Sequence, residues 1–108
     1  MIKEKTCGDY ILSTDKNKLQ LNYIHSYLSK ESYWAKNIPL EIVKKSIEGS
    51  LCFGIYYNNN QIGCARVITD NATFGYLADV FIDKDYRGKG LSKELMKFIM
   101  EHETISIL

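Results

Sequence analysis

The chemistry-bearing part of this sequence is Arg87-Gly88-Lys89-Gly90, which lies where an apolar strand must give way to a helix. The helix that follows is read from Leu91, Leu95 and Ile99, with Met96 and Met100 beside them, yet no Ser, Thr, Asp or Asn stands at its expected start. Glycines there let the backbone bend and a ligand approach closely, and the amides of the first helical turn are left without a side-chain partner. An uncapped helix start flanked by Arg87, Lys89 and Lys93 combines free N–H donors, a favourable dipole and positive charge, which suits an anion, phosphate above all. The same residues also suit a plain turn carrying solvated charges, because Gly-x-Gly alone is a weak signal. Two phosphate motifs are excluded: G-x-x-x-x-G-K-[ST] is absent, and position 93 is Lys where a dinucleotide fingerprint needs its third Gly.

Several elements must position this junction. Residues 10–13 read as a short strand, and Ser13, Thr14 and Asp15 offer N-caps for a helix carrying Leu19, Tyr23, Ile24, Tyr27 and Leu28. A second helix has Pro39 near its first turn, Leu40, Val43 and Ile47 on one face, and Gly49 as its stop. Leu51–Tyr57 and Gln61–Thr69 form a hairpin about Asn58-Asn59-Asn60. Phe74–Ile82 is a third strand of this group, with Phe74, Tyr76, Ala78, Val80 and Ile82 on one face and Leu77, Asp79 and Phe81 on the other. Thr104-Ile105-Ser106-Ile107-Leu108 reads as the beginning of a further strand. The order predicts a single α+β domain over 1–108, a mixed α/β sandwich.

Composition narrows the function classes. The chain has 108 residues, 45% apolar and 25% charged, with 14 basic against 13 acidic side chains and a formal charge of +1. This is ordinary globular composition. It lacks the basic excess of a dedicated nucleic-acid or membrane-surface binder. No apolar run approaches the roughly 18 residues of a membrane span, and the N-terminus Met1-Ile2-Lys3-Glu4-Lys5 lacks the apolar core of a secretory signal. Cys7, Cys52 and Cys64 form neither a disulfide framework nor, with His25 and His102, a metal site. They read as small, reduced, buried hydrophobes of a cytoplasmic protein. His102, near a helix end, is expected to complement the helix dipole.

The stretch Val80-Phe81-Ile82-Asp83-Lys84-Asp85-Tyr86-Arg87-Gly88-Lys89-Gly90-Leu91-Ser92 resembles the signature [Q/R]-x-x-G-x-[G/A] of the GNAT superfamily of acetyl-CoA-dependent N-acetyltransferases. Arg87 and Gly90 match, and Ser92 takes the last small position. The resemblance extends over most of the chain and implies a largely antiparallel central sheet flanked by helices. It further implies that the amides of Arg87, Gly88, Lys89, Gly90, Leu91 and Ser92 hold the coenzyme A pyrophosphate. The backbone at Val80 and Ile82 would pair with the pantetheine arm, and the thioester would lie near Asp79 and Phe81. Acetyl-CoA would be the cosubstrate and a primary amine of a small molecule or peptide the acceptor. Asp79 is nominated as general base, with a structural carboxylate as the equal alternative; Tyr33 and Trp34 are nominated for the acceptor site, with core packing as the alternative.

Family members continue past this helix with a strand, a helix and closing strands, so the resemblance implies a C-terminally short member. The alternative function is a domain that binds coenzyme A or a protein partner without turnover. An unpaired edge at 104–108 further predicts a homodimer built on those residues and on Leu95, Ile99 and Met100.

Overall fold

In a computed structural model, which describes residues 1–32 and 34–107, the polypeptide folds around one five-stranded sheet of order β1-β2-β3-β4-β5. The strands are β1 (Glu4–Cys7), β2 (Tyr10–Ser13), β3 (Leu51–Tyr57), β4 (Asn60–Thr69) and β5 (Gly75–Ile82). Every neighbouring pair is antiparallel. Helices α1 (Leu21–Lys30) and α2 (Leu40–Glu48) follow β2, and α3 (Leu91–Glu101) and the short α4 (Glu103–Ser106) follow β5.

Two apolar clusters divide the core between the faces of the sheet. On one face Leu12, Phe53, Ile55, Ala65, Val67 and Ile82 meet Leu91, Leu95, Phe98 and Ile99 of α3. On the other, Cys64 and Phe81 meet Ile24 and Leu28 of α1 and Val43 of α2. The result is the three-layer α+β sandwich expected from the element order. Central β3 is covered on both sides, which is why Leu51–Tyr57 is a continuous apolar and aromatic run.

Local sequence explains most boundaries. Pro39 precedes α2 with φ −66° and Gly49 ends it. Asn58 and Asn59 both take positive φ, 49° and 66°, the geometry of a two-residue hairpin turn that Asn tolerates. The carboxylate of Asp70 accepts from the N–H groups of Ala72, Thr73 and Phe74, closing the turn into β5. These bonds, with the Thr73 hydroxyl first among them, hold its carboxyl well below the usual carboxylate range.

The structure departs from the sequence reading in six places. Glu4–Cys7 is an edge strand that the sequence reading left unassigned, returning to β2 through a turn with Gly8 at φ +60°. Asp15 caps only a 3-10 turn, Lys16–Lys18, and α1 begins at Leu21, where Gln20 is bonded instead to the hairpin at Asn59 and Gln61. The alternation predicted for 74–82 breaks at a bulge between β4 and β5. Leu77 therefore lies with Val67 and Ile99 near α3, whereas Asp79 lies with Val43 and Ile24 on the opposite side. Residues 104–106 are helical, so the predicted edge strand is absent; Ile105 packs against the α3-side core, and Leu108 lies outside the described residues. His102 is a neutral cap rather than a cation: burial lowers its pKa, and its Nδ1 accepts from the Thr104 N–H at 3.1 Å. Leu95 and Ile99 are fully buried, so of the three α3 residues expected at a dimer interface only Met100 is exposed.

Candidate active site

β5 delivers the chain to the junction. Past Ile82, the Asp83 N–H donates to the Ile62 carbonyl at 2.7 Å, and the Asp83 side chain accepts from the Asp85 N–H and the Tyr23 hydroxyl. The 3-10 turn Lys84–Tyr86 follows, its Tyr86 ring packed on Tyr10 and Tyr57. Burial, then the Asp83 carboxylate, pushes the Tyr23 phenol far up, so it remains a protonated strut.

Arg87 is spent on structure. Its Nε donates to the Ile82 carbonyl at 2.9 Å and its other arm to the Tyr27 hydroxyl at 2.7 Å, pinning the strand end to α1. Both acceptors are neutral, so Arg87 keeps its positive charge beside exposed Lys89 and Lys93 at the helix start.

Gly88 and Gly90 follow at φ +79° and +76°, and Gly90 is the N-cap of α3 with no side-chain cap. The first backbone bond of the helix is from the Glu94 N–H to the Gly90 carbonyl. Among the described residues no hydrogen bond takes up the amides of Gly88 through Lys93. A Cβ built at either glycine meets nothing within 4 Å, so the space above these amides is open.

That space is the end of a cleft of about 580 Å³. Val80, Phe81 and Ile82 form one wall, Tyr27, Glu31 and Trp34 the other, and Tyr86, Arg87, Gly88, Gly90, Leu91 and Ser92 the glycine-rich end. Every residue nominated for the cosubstrate except Lys89 lines it. The Tyr27 and Phe81 rings are stacked at 3.7 Å and 5°, which fixes the distance between α1 and β5. Trp34 reaches the cleft, and Tyr33 lies outside the described residues.

Asp79 does not line the cleft. It sits at the bulge with φ +52°, where its Oδ2 accepts from Arg66 Nε at 2.9 Å and its Oδ1 from Trp34 Nε1 at 3.1 Å. The ion pair is largely enclosed, the side chains being 17% and 15% exposed, and Arg66 also donates to Ser50 Oγ at 2.9 Å. The sequence reading did not single out Arg66, Tyr27, Glu31 or Tyr86. Tyr27 could be read only as one of an apolar face, and nothing local marks Arg66 as the partner of a residue thirteen positions on.

Comparison with known proteins bears on this architecture. The model of the GNAT acetyltransferase family matches residues 21–103. The chain belongs to the GNAT acetyltransferase family. A Gibberella zeae protein named "Putative acetyltransferase" is 32% identical over 115 residues, an alignment covering 89% of this chain and 65% of that protein. A crystal structure of a GNAT-family chain from Xanthomonas campestris pv. campestris superposes with a TM-score of 0.89 at 44% identity, covering 93% of this chain and 70% of that one. A GNAT-family chain from Elizabethkingia anophelis, solved with acetyl-CoA bound, shares the fold at 16% identity and a TM-score of 0.55, over 93% of this chain and 54% of its own. This GNAT chain thus spans 65% of the length of its curated relative.

Proposed function

We propose that this chain supplies the acetyl-CoA site of an N-acetyltransferase, moving the acetyl group to a primary amine of a small molecule or peptide. The observation that carries the reading is the row of unbonded amides from Gly88 to Lys93 at the end of an open cleft. These amides, with Lys89 and Lys93, would receive the pyrophosphate. β5 is the last strand of the sheet, so its outer edge offers backbone groups to a pantetheine arm at Val80 and Ile82. The acetyl end then falls at the bulge, beside Trp34. Asp79 has both oxygens engaged, and we assign it to holding the bulge in place of the base role nominated from sequence. The Glu31 and Trp34 wall is left to face the acceptor.

The amine would attack the thioester carbonyl, forming the N–C bond as the C–S bond breaks; the sulfur leaves as the coenzyme A thiolate and takes up the proton that the amine gives up. The three free cysteines fit a reducing compartment such as the cytoplasm. No helix among the described residues is long and apolar enough to cross a membrane.

Calorimetric titration tests the placement. Coenzyme A should bind at least about tenfold more tightly than pantetheine, which lacks the phosphates. Gly90→Val should abolish binding, because a β-branched residue is strained at φ +76° and its side chain fills the space above the amides. Equal affinity for the two ligands would overturn the assignment.

A further inference from the structure

His102 belongs to two helices at once, as the C-cap of α3 and the N-cap of α4. The two make opposite demands on its ring. The C-terminal end of α3 is the negative end of a helix dipole and favours an imidazolium. The first turn of α4 needs a lone pair, which Nδ1 provides by accepting from the Thr104 N–H at 3.1 Å. An imidazolium carries an N–H at both ring positions, so protonation sets two donors against each other there. The ring stands edge-to-face against buried Phe53, with centroids 5.7 Å apart at 87°, which holds Nδ1 toward α4.

The surrounding charges leave the contest open to a proton. Lys3, Glu4 and Lys5 approach the ring from the β1 side, Glu101 from α3 and Glu103 from α4. Glu4 is paired with Lys18, and Glu101 with Lys5 at 3.6 Å. Burial first, then Lys3 and the Met1 amino group, lower the pKa of the ring, against Glu103, which raises it. What the cap holds is small. α4 is a single turn, and one turn has little helical stability of its own. Its anchor is Ile105, which packs on the α3-side core and lines a groove of about 420 Å³ with Phe74, Leu77, Met96, Ile99 and Met100.

We infer that α4 is a proton-operated latch: protonation of His102 at Nδ1 frees Thr104, Ile105 and Ser106 and lifts Ile105 off the groove. α3 keeps its own end, because the imidazolium suits its dipole and the His102 backbone N–H still donates to the Ile99 carbonyl at 3.1 Å. Opening therefore uncovers apolar surface of Met96 and Ile99 without unwinding α3. Because the cap is the neutral ring, the latch is closed at neutral pH. It opens as pH falls through the titration of His102, below the 6.5 of an unperturbed imidazole. His25, the other histidine of the sequence, lies on α1 with its Nε2 2.9 Å from the Ile38 carbonyl and takes no part.

Nuclear magnetic resonance of the full chain between about pH 7.5 and about pH 5, the range in which a histidine changes charge, tests the latch. The His102 ring protons, the Thr104 amide and the Ile105 methyls should titrate together, with one midpoint below the usual imidazole value. The ratio of closed to open α4 should fall by at least about fivefold across it, the scale of one lost N-cap. His102→Asn supplies a cap oxygen that does not titrate, so its Thr104 and Ile105 signals should keep the closed position to the acid end. His102→Ala removes the cap and should show both signals in the open position already at the neutral end. A ring that titrates while Thr104 and Ile105 stay still overturns the inference. So does a ring that remains neutral, with α4 closed, at the acid end, or a His102→Asn variant that opens with the wild-type midpoint.

Discussion

Asp79 shows how a residue of catalytic type can have both of its carboxylate oxygens engaged within the fold. A carboxylate on the strand beside the cleft is a reasonable base by type, but here one oxygen belongs to Arg66 and the other to Trp34. The pair also holds Asp79 at φ +52°, a region open to Asp at modest strain. Removing one member of such an enclosed pair leaves the other charge stranded. Arg66→Met should therefore lower stability by about 3 kcal/mol in urea unfolding, and the double variant Arg66→Met with Asp79→Asn should recover part of that loss. If Arg66→Met unfolds at the wild-type midpoint, the pair contributes nothing to the bulge. Asp79→Asn gives the complementary reading: a loss of turnover by about two to four orders of magnitude at unchanged stability would return Asp79 to the chemistry as the general base.

At the scale of elements, the approach of β4 to β5 decides where the cleft wall stands. A Cβ built at Gly63 would lie 2.6 Å from the Phe81 carbonyl oxygen and 2.8 Å from Ile55 Cγ2. The first of these atoms is backbone and cannot swing aside. Gly63→Ala should push β5 away from β4 and reduce stability by about 1–3 kcal/mol, the range for overpacked interiors, with coenzyme A affinity falling as Val80–Ile82 shift. An unchanged urea midpoint would show that the strands part freely.

The same elements show what local sequence can and cannot encode. Pro39 and Gly49 bracket α2, and Asn58-Asn59 closes the β3–β4 hairpin, because each residue has an intrinsic backbone preference that acts wherever it stands. The glycine-rich helix start was legible for the same reason, since a missing cap is a local fact. The bulge was not legible: it arises from pairing with β4 and reverses the face of every residue on one side of it. Thr104–Leu108 failed in the other direction. Thr104, Ile105 and Ser106 took one helical turn, capped by His102 and anchored by Ile105 on the core. Glu4–Cys7 is too short and polar to signal a strand, and becomes one by pairing with β2.

For the molecule as a whole, β5 has two unlike halves on either side of the bulge. Val80–Ile82 faces the cleft, whereas Tyr76 near its start and Phe74 just before it are 59% and 61% exposed beside an edge that pairs with no strand among the described residues. Met100 at the end of α3, 59% exposed, lines a groove with Phe74 and Leu77. Aromatic and aliphatic surface along an unpaired edge favours pairing with a second copy. We therefore move the predicted self-association from residues 104–108 to this groove and the adjoining edge. Sedimentation of the chain at micromolar concentration should show dimers or larger species, and Phe74→Lys, which places charge on the edge, should shift them toward monomer. The site lies beyond the bulge from the glycine-rich end, so coenzyme A affinity should stay within about twofold across the transition. A monomeric wild-type chain would mean that this surface does not pair with itself, and a Phe74→Lys variant that loses coenzyme A binding would show that the two halves of β5 act as one.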